Sequence, residues 1–420
     1  MIAAQSSSLN MDAKFKKTPI GEIPVEWEVS TIGQCAGVNL FTIPDNTPDN
    51  KKIRYIDISS IEKTGSISGI RDLFYRDAPS RARRKIEAGD ILVSTVRPYL
   101  RAFAMVHDNG GDLIASTGFA VLSSTGVNGE FLYQFVLSEP FAQFLTERMT
   151  GSNYPAVNSS DVALCPIPLP PTQEQKKIAD ILSSVDDAIQ KADAVIAKTR
   201  DLKKALMQRL LTRGIAHTKF KKTPIGEIPV EWKTDKLKNL GEIITGGTPA
   251  IKEQRFWNGD FMFVTPSDID VRRFIHSTTR HLSQEGLKVS RIIPKNAVMV
   301  TCIASIGKMA LATEDCCTNQ QINSVICNEN IEPIFLFYSL KNQEDSLKNL
   351  AGQTAVPIVN KTLFGLLDVA IPSISEQKKI AEILSSVDDA IEKSESERDH
   401  LEQTKKSLMA DLLTGRVRTV

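Results

Sequence analysis

Gln175–Asp193 reads QKKIADILSSVDDAIQKAD and Gln377–Glu395 reads QKKIAEILSSVDDAIEKSE, with 15 of 19 positions identical. In the first copy Ile178, Leu182, Val185, Ile189, Ala192, Ile196 and Thr199 recur at alternating steps of four and three. That spacing is a heptad seam, which needs a helical partner along its length. The seam then shifts to Leu202, Leu206 and Leu210, and Gly214 is a C-terminal stop. Thr172 followed by Gln175 has the form of a capping box, and the strip Pro166–Pro171 cannot extend the helix backwards. A helix over about 172–212 is expected, ~60 Å long at 1.5 Å per residue. The second copy runs through Ile380, Leu384, Val387 and Ile391, passes polar Ser394 and Arg398, resumes at Leu401 and Leu408, and ends near Gly415.

Charge suggests the partner. Residues 173–213 hold nine Lys/Arg against six Asp/Glu, net +3, whereas 375–416 hold seven against ten, net −3. Opposite signs favour pairing the two helices with each other over homodimerisation through like helices, although exposed pairs contribute only ~0–1 kcal/mol each. The expectation is an intramolecular antiparallel two-helix coiled coil.

Lys14–Trp27 reads KFKKTPIGEIPVEW, and Lys219–Trp232 repeats all fourteen residues. The two repeats are offset by 205 and 202 residues, so two constant frames carry two divergent inserts. This is a duplication of long units, not a solenoid. The boundaries read as a disordered tail at 1–13, a first variable domain with the opening motif at 14–152, and a constant region with its helix at 153–214. A second variable domain follows at 215–352 and a distal constant region at 353–420. A frame that presents one surface twice, with inserts that do different jobs, gives this pattern.

Within the inserts, 54–58, 90–96 and 118–122 read as strands, as do 261–264, 297–302 and 322–326. One helix follows in each, Glu130–Arg148 and Glu332–Leu350. The fold class is α+β: two globular domains with curved, mostly antiparallel sheets, separated by the two long helices, with an internal pseudo-twofold repeat.

The remaining composition is permissive. The chain has 420 residues, 51 Lys+Arg, 50 Asp+Glu and 41% hydrophobic residues, ordinary for a soluble globular protein and unlike a disordered or fibrous one. No apolar stretch approaches the ~18–20 residues of a membrane span, and the first ten residues lack the features of a secretory signal. Six cysteines and five histidines show no metal-ligand spacing, so free buried thiols, no metal and a reduced cytoplasm are expected.

Net charge near zero hides local bias. Residues 71–101 carry eight Lys/Arg and four acids, and 272–308 carry seven and one. Basic loops on two domains provide the local positive potential that a nucleic acid needs, though any one such residue also suits a solvated surface. Arg81, Arg83, Arg84, Arg272 and Arg273 are candidate phosphate contacts. Arg97, Tyr99 and Arg101 follow a strand in the first insert, and Ser305 and Lys308 follow the matching strand in the second; all five are expected on a DNA face. Asn319, Gln320 and Gln321 offer amides that pair bidentately with adenine, or cap a strand end. No phosphate-binding loop, dinucleotide fingerprint, methyltransferase tetrad, nuclease triplet or hydrolase triad is evident, so neither a cofactor nor a catalytic centre is expected.

Thr18–Trp27 and its repeat at 223–232 resemble the start of each half of a type I restriction–modification specificity subunit. Gly246-Gly-Thr-Pro249 with Phe256-Trp-Asn-Gly-Asp260, Thr318-Asn-Gln-Gln-Ile322 and the helix starts at 174–179 and 376–381 are similar to that family too. The first insert lacks the Gly-Thr-Pro motif and has Ser116-Thr-Gly118 in place of Asn-Gln. The resemblance implies a non-catalytic subunit of a methyltransferase and endonuclease complex. Each variable domain would read one half of a bipartite, asymmetric site on double-stranded DNA. The helices would set the gap and dock two methyltransferase (modification) subunits, with restriction (translocase) subunits joining. The alternative is a protein–protein scaffold without direct DNA reading; an enzyme acting alone ranks third.

Overall fold

A computed structural model describes residues 14–62, 65–108, 110–352 and 357–419. The expected tail, residues 1–13, lies outside the described residues. The chain divides into two compact units, one of residues up to Asp193 with those from Ser396, the other Ala194–Glu395.

In the first unit, Phe15–Thr18 and Gly21–Pro24 form an antiparallel hairpin that brings Trp27 into the core. Glu28–Thr31 pairs antiparallel with Pro166–Leu169. The proline strip is thus a strand, tolerated because a two-stranded ribbon leaves one edge with no hydrogen bonds to make. Two four-stranded sheets follow. One has the order Ala36–Val38, Phe119–Ser124, Ile91–Ser94, Phe103–Met105, all antiparallel. The other has the order Arg71–Phe74, Lys52–Ile56, Leu113–Ser116, Ala82–Lys85, and its central pair is parallel.

The second unit repeats this plan with different residues. Its opening hairpin, Phe220–Thr223 with Gly226–Pro229, brings in Trp232, and Lys233–Lys236 pairs with Asp368–Ile371. One sheet has the order Gly241–Thr245, Ile322–Cys327, Val298–Thr301, Met309–Ala312, Phe274–Ile275. The other runs Arg280–Leu282, Trp257–Val264, Cys316–Thr318, Ile292–Ile293, again with a parallel central pair. Each insert is therefore two sheets, not one. Each expected insert helix is also two: Gly129–Val136 with Glu139–Thr146, and Pro333–Asn342 with Glu344–Leu350. In the first insert Ser138 caps the second helix and Pro140 follows, which ends continuation from the preceding turn.

The long helices are Thr172–Arg213 (the proximal helix) and Ile374–Leu412 (the distal helix). In each unit the start of one meets the end of the other, so they pair antiparallel. Lys405 reaches Asp186 in the first unit; Lys203 reaches Asp388 in the second, where Arg200 also pairs with Glu395. The expected seam residues Ile178, Leu182, Ile189, Ile196, Ile380, Leu384 and Ile391 are buried, and Val185 and Val387 are half-buried.

Two details differ from expectation. The seam does not shift to Leu202, which is 52% exposed; it continues in register through Thr199, Lys203, Leu206 and Leu210. The distal helix likewise keeps register through Leu401, Lys405, Leu408 and Leu412. Each lysine is admitted to the seam by its aspartate. Nor does Gln175 close a capping box on Thr172. Its amide donates to the Pro170 carbonyl at 2.8 Å and accepts from the Asn128 amide at 2.9 Å, tying the helix start to the insert. Gln377 does the same with Pro372 and Glu332.

The repeated tryptophans close each frame. Trp27 Nε1 donates to Glu174 at 3.0 Å and Trp232 Nε1 to Glu376 at 3.1 Å. Gly415 and Gly214 end the long helices in the left-handed region beside these rings, and a Cβ there would strike Pro24 or Trp232. Beyond the glycines, Arg418 bridges Glu174 and Glu26, while His217 bridges Glu376 and Glu231.

Candidate nucleic-acid interface

In both inserts a fully buried strand, Ile91–Ser94 or Val298–Thr301, delivers a polar loop to the place where the two sheets join. In the first, the Thr95 amide and hydroxyl both donate to the Gly118 carbonyl, and Val157 N donates to Thr95 O. Arg97 N donates to Pro155 O. In the second, Cys302 N donates to Gln321 O, Val359 N to Cys302 O, and Ala304 N to Pro357 O. The loops at 95–101 and 302–308 are thus braced in the same way, on one side by the connection between sheets and on the other by the chain returning from the insert helices.

In the first domain, Arg97 (φ 49°) and Arg101 (φ 53°) bracket a 3-10 turn, Pro98–Leu100. Two non-glycine residues in the left-handed region within five positions are held by the bracing, since each is disfavoured by Cβ sterics. Arg97 donates to Asn153 O at 3.3 Å and lies 4.8 Å from the Tyr154 ring centre; Arg101 ion-pairs with Glu139. Tyr99, Leu100 and Tyr154 are exposed around them. Arg81 joins the rim because Thr117 N donates to its carbonyl, and its exposed guanidinium has no protein partner among the described residues.

Arg83 and Arg84 are half-buried. Arg83 donates to Tyr75 at 2.8 Å and to Asp45 at 3.1 Å. Arg84 sits in the strand Ala82–Lys85, where its Nε is buried without a hydrogen bond.

In the second domain, Ser305 and Lys308 are exposed, and Lys308 Nζ donates to Pro266 O at 3.0 Å. Asn319 and Gln321 hydrogen-bond each other, with Asn319 8% exposed, so these amides shape the turn. Gln320 points outward and accepts from Thr248. Gly246 explains the Gly-Gly-Thr-Pro motif: a Cβ there would lie 2.2 Å from Thr318 Oγ1. Only glycine lets the two motif loops touch.

Beside Lys308, Asp268 anchors its own loop. Burial disfavours its charge, but hydrogen bonds from Thr265 and Thr279 outweigh that and hold its pKa below the ordinary carboxylate value. Arg272, on the continuation of this loop, is exposed and paired with Asp270 at 2.9 Å.

Arg273 corrects the expectation of a phosphate contact. It is 7% exposed and its guanidinium is committed to Tyr338 at 3.0 Å and Asp389 at 2.8 Å. It joins the insert to the distal helix within the second unit. The adjacent Arg272 does remain on the surface; nothing in the sequence separated the pair, because only the register of the following strand decides which one turns inward.

Asn153, Tyr154, Leu100, Thr248 and Pro266 were not singled out from the sequence. The run Gly151-Ser-Asn-Tyr-Pro155 carries a turn signal, but its place against Arg97 is a long-range fact.

The thiols of Cys165, Cys316 and Cys327 are pushed up by burial to about 12, and those of Cys302 and Cys317 to about 11. Such thiols are inert at neutral pH. Among the described residues no cluster of His, Cys, Asp and Glu could hold a metal ion, and no helix is long and apolar enough to cross a membrane.

Comparison with known proteins agrees with this architecture. A family model described as the type I restriction modification DNA specificity domain matches residues 24–196 and again 229–403. A putative type I restriction enzyme MjaX specificity subunit from Methanocaldococcus jannaschii is 27% identical over 424 residues, covering 97% of each chain. The HindI specificity subunit of Haemophilus influenzae is 25% identical, covering 89% of this chain and 93% of its own. Among solved structures, the S subunit of a type I restriction-modification system from M. genitalium superposes with a TM-score of 0.60 at 14% identity. It covers 92% of this chain and 96% of its own, a likeness of fold.

Proposed function

Because the chain belongs to the type I restriction modification DNA specificity family, we propose that it is the DNA-reading subunit of such a complex. Each variable domain reads one half of a bipartite, asymmetric site on double-stranded DNA. The chain itself is non-catalytic and works in the cytoplasm. The observation that carries this reading is the pair of equivalent braced loops: one strand plan, one position, different side chains. A symmetric homodimer would offer identical readers and demand a palindrome.

In this reading Arg97, Tyr99, Arg101, Ser305 and Lys308 face DNA, with Gln320 reading and Asn319 and Gln321 supporting it. Arg81, Arg83, Arg84 and Arg272 contact phosphate. The long helices, each shared between both units, set the gap and dock two methyltransferase subunits, which restriction subunits join. Docking of two like partners is supported by apolar residues exposed in both copies of the frame: Val25 and Val230, Leu164 and Leu366, Ile181 and Ile383. Methylation mapping in a host carrying this chain with its cognate methyltransferase tests the whole. An interrupted, asymmetric site is expected; a single ungapped palindrome, or methylation unchanged when the chain is removed, overturns it.

A further inference from the structure

The tips of the two braced loops differ in a way that charge alone does not explain. In the first domain Tyr99 is 46%, Leu100 62% and Tyr154 72% exposed, on a surface whose backbone is fixed. Leu100 N donates to Arg97 O and Arg101 N to Pro98 O, both at 2.9 Å, and Pro98 adds its own fixed φ. Arg97 lies over the Tyr154 ring, and Glu139–Thr146 packs against the turn from behind. A flexible loop would fold Leu100 back against the protein; this one cannot. At the positions in the second domain that match Tyr99 and Leu100 stand Ile306, which is buried, and Gly307.

We infer that Tyr99, Leu100 and Tyr154 form a wedge that enters the duplex between base pairs of the half-site read by the first domain. The second half-site is read without such insertion. The inference rests on the DNA-reading function proposed above. Apolar side chains flanked by arginines suit this occupant: the guanidiniums of Arg97, Arg101 and Arg81 face phosphate, while the aliphatic or aromatic tip replaces base stacking it has opened. A protein partner would also take apolar residues, but Arg81, Arg97 and Arg101 at this rim, set against Glu139, match a polyanion better. The two half-sites are then deformed unequally, so that base steps beside the first domain are selected partly for how easily they open.

The test uses the assembled complex on DNA carrying the mapped site, with 2-aminopurine placed in turn at each step of both half-sites other than the methylated bases, which a methyltransferase extrudes by itself. A several-fold rise in fluorescence is expected at one step of one half-site only. It should be lost in Leu100→Ala with Tyr154→Ala, while sequence-specific binding persists. Specific binding without any rise, or a rise that survives the double substitution, overturns the wedge and leaves DNA reading standing. Loss of subunit assembly in the double variant with an unchanged signal makes the tip a protein contact and overturns it as well. Absence of sequence-specific binding by the unsubstituted complex removes the functional reading and the wedge together.

Discussion

Lys203 Nζ lies 2.5 Å from Asp388 Oδ1, and Lys405 meets Asp186 in the same way, the lysine 202 residues later and the aspartate 202 residues earlier. One ion pair is thus made twice, each time by the lysine of one helix and the aspartate of the other. Both pairs lie in the apolar seam. Asp388 also accepts from Tyr338 at 2.6 Å, and Asp186 from Gln134 at 2.8 Å, so each carboxylate ties the helix pair to its own insert.

Removing one member of such a pair should hurt more than removing both. Lys203→Met keeps the aliphatic stem but leaves Asp388, with a side chain only 10% exposed, with Arg273 at 3.9 Å as its remaining cation. A loss of about 1–3 kcal/mol is expected in chemical denaturation, largely recovered when Asp388→Asn is added. A double-mutant cycle with near-zero coupling would show the pair to be incidental.

Arg418 is the counterpart of His217, and its removal exposes the difference. Glu174 is 1% exposed, and its hydrogen bonds keep the Arg418 guanidinium charged, raising its pKa. Arg418→Ala should destabilise the first unit by about 3 kcal/mol, and Arg418→Lys should restore only part, lacking the planar fork. Melting curves of the full chain decide this.

Arg81→Ala should weaken DNA binding about equally for all sequences and lower the slope of log K against log salt by about 1. Gln320→Ala should instead relax preference at one base pair of the second half-site. Titrations at several salt concentrations separate the two; an unchanged salt slope removes Arg81 from the footprint.

Asp268 carries a pH signature. Its folded pKa lies below the unfolded value of ~3.9, so its contribution is fully present above that value and is lost as pH falls through the folded one. Asp268→Asn should be less stable at neutral pH and flatter across the acid range. Equal acid sensitivity of variant and parent would argue that the Thr265 and Thr279 bonds do not hold the charge.

Gly246→Ala tests the close approach of the two motif loops. The added methyl meets Thr318 Oγ1 and the Asn319 carbonyl, so the turn at 318–321 must shift. DNA selectivity at the second half-site should fall even where melting changes little.

Much of the frame was legible in the sequence because it is written in local periodicity. The heptads around Ile178 and Ile380 and the stops at Gly214 and Gly415 each depend on residues within a few turns of one another. The sequence misleads at Leu202, because a lysine in an apolar row looks like a break until its aspartate, nearly two hundred residues away, is placed opposite. The inserts were less legible. Short buried strands such as Ile91–Ser94 announce themselves, but which sheet each joins is set by long-range pairing. The doubling of the sheets and the parallel pairings within each insert came from the structure.

The duplication, the pairing of the two long helices and the basic bias of two loops are written in the chain itself, since repeats and charges need no fold to be read. Which charges face outward depends on packing. Arg272 and Arg273 are neighbours of the same type, yet one meets solvent and the other closes a buried network with Tyr338 and Asp389. Both precede the strand Phe274–Ile275, so a single position separates a surface contact from a structural tie, and only the packing of the insert against the distal helix says which is which.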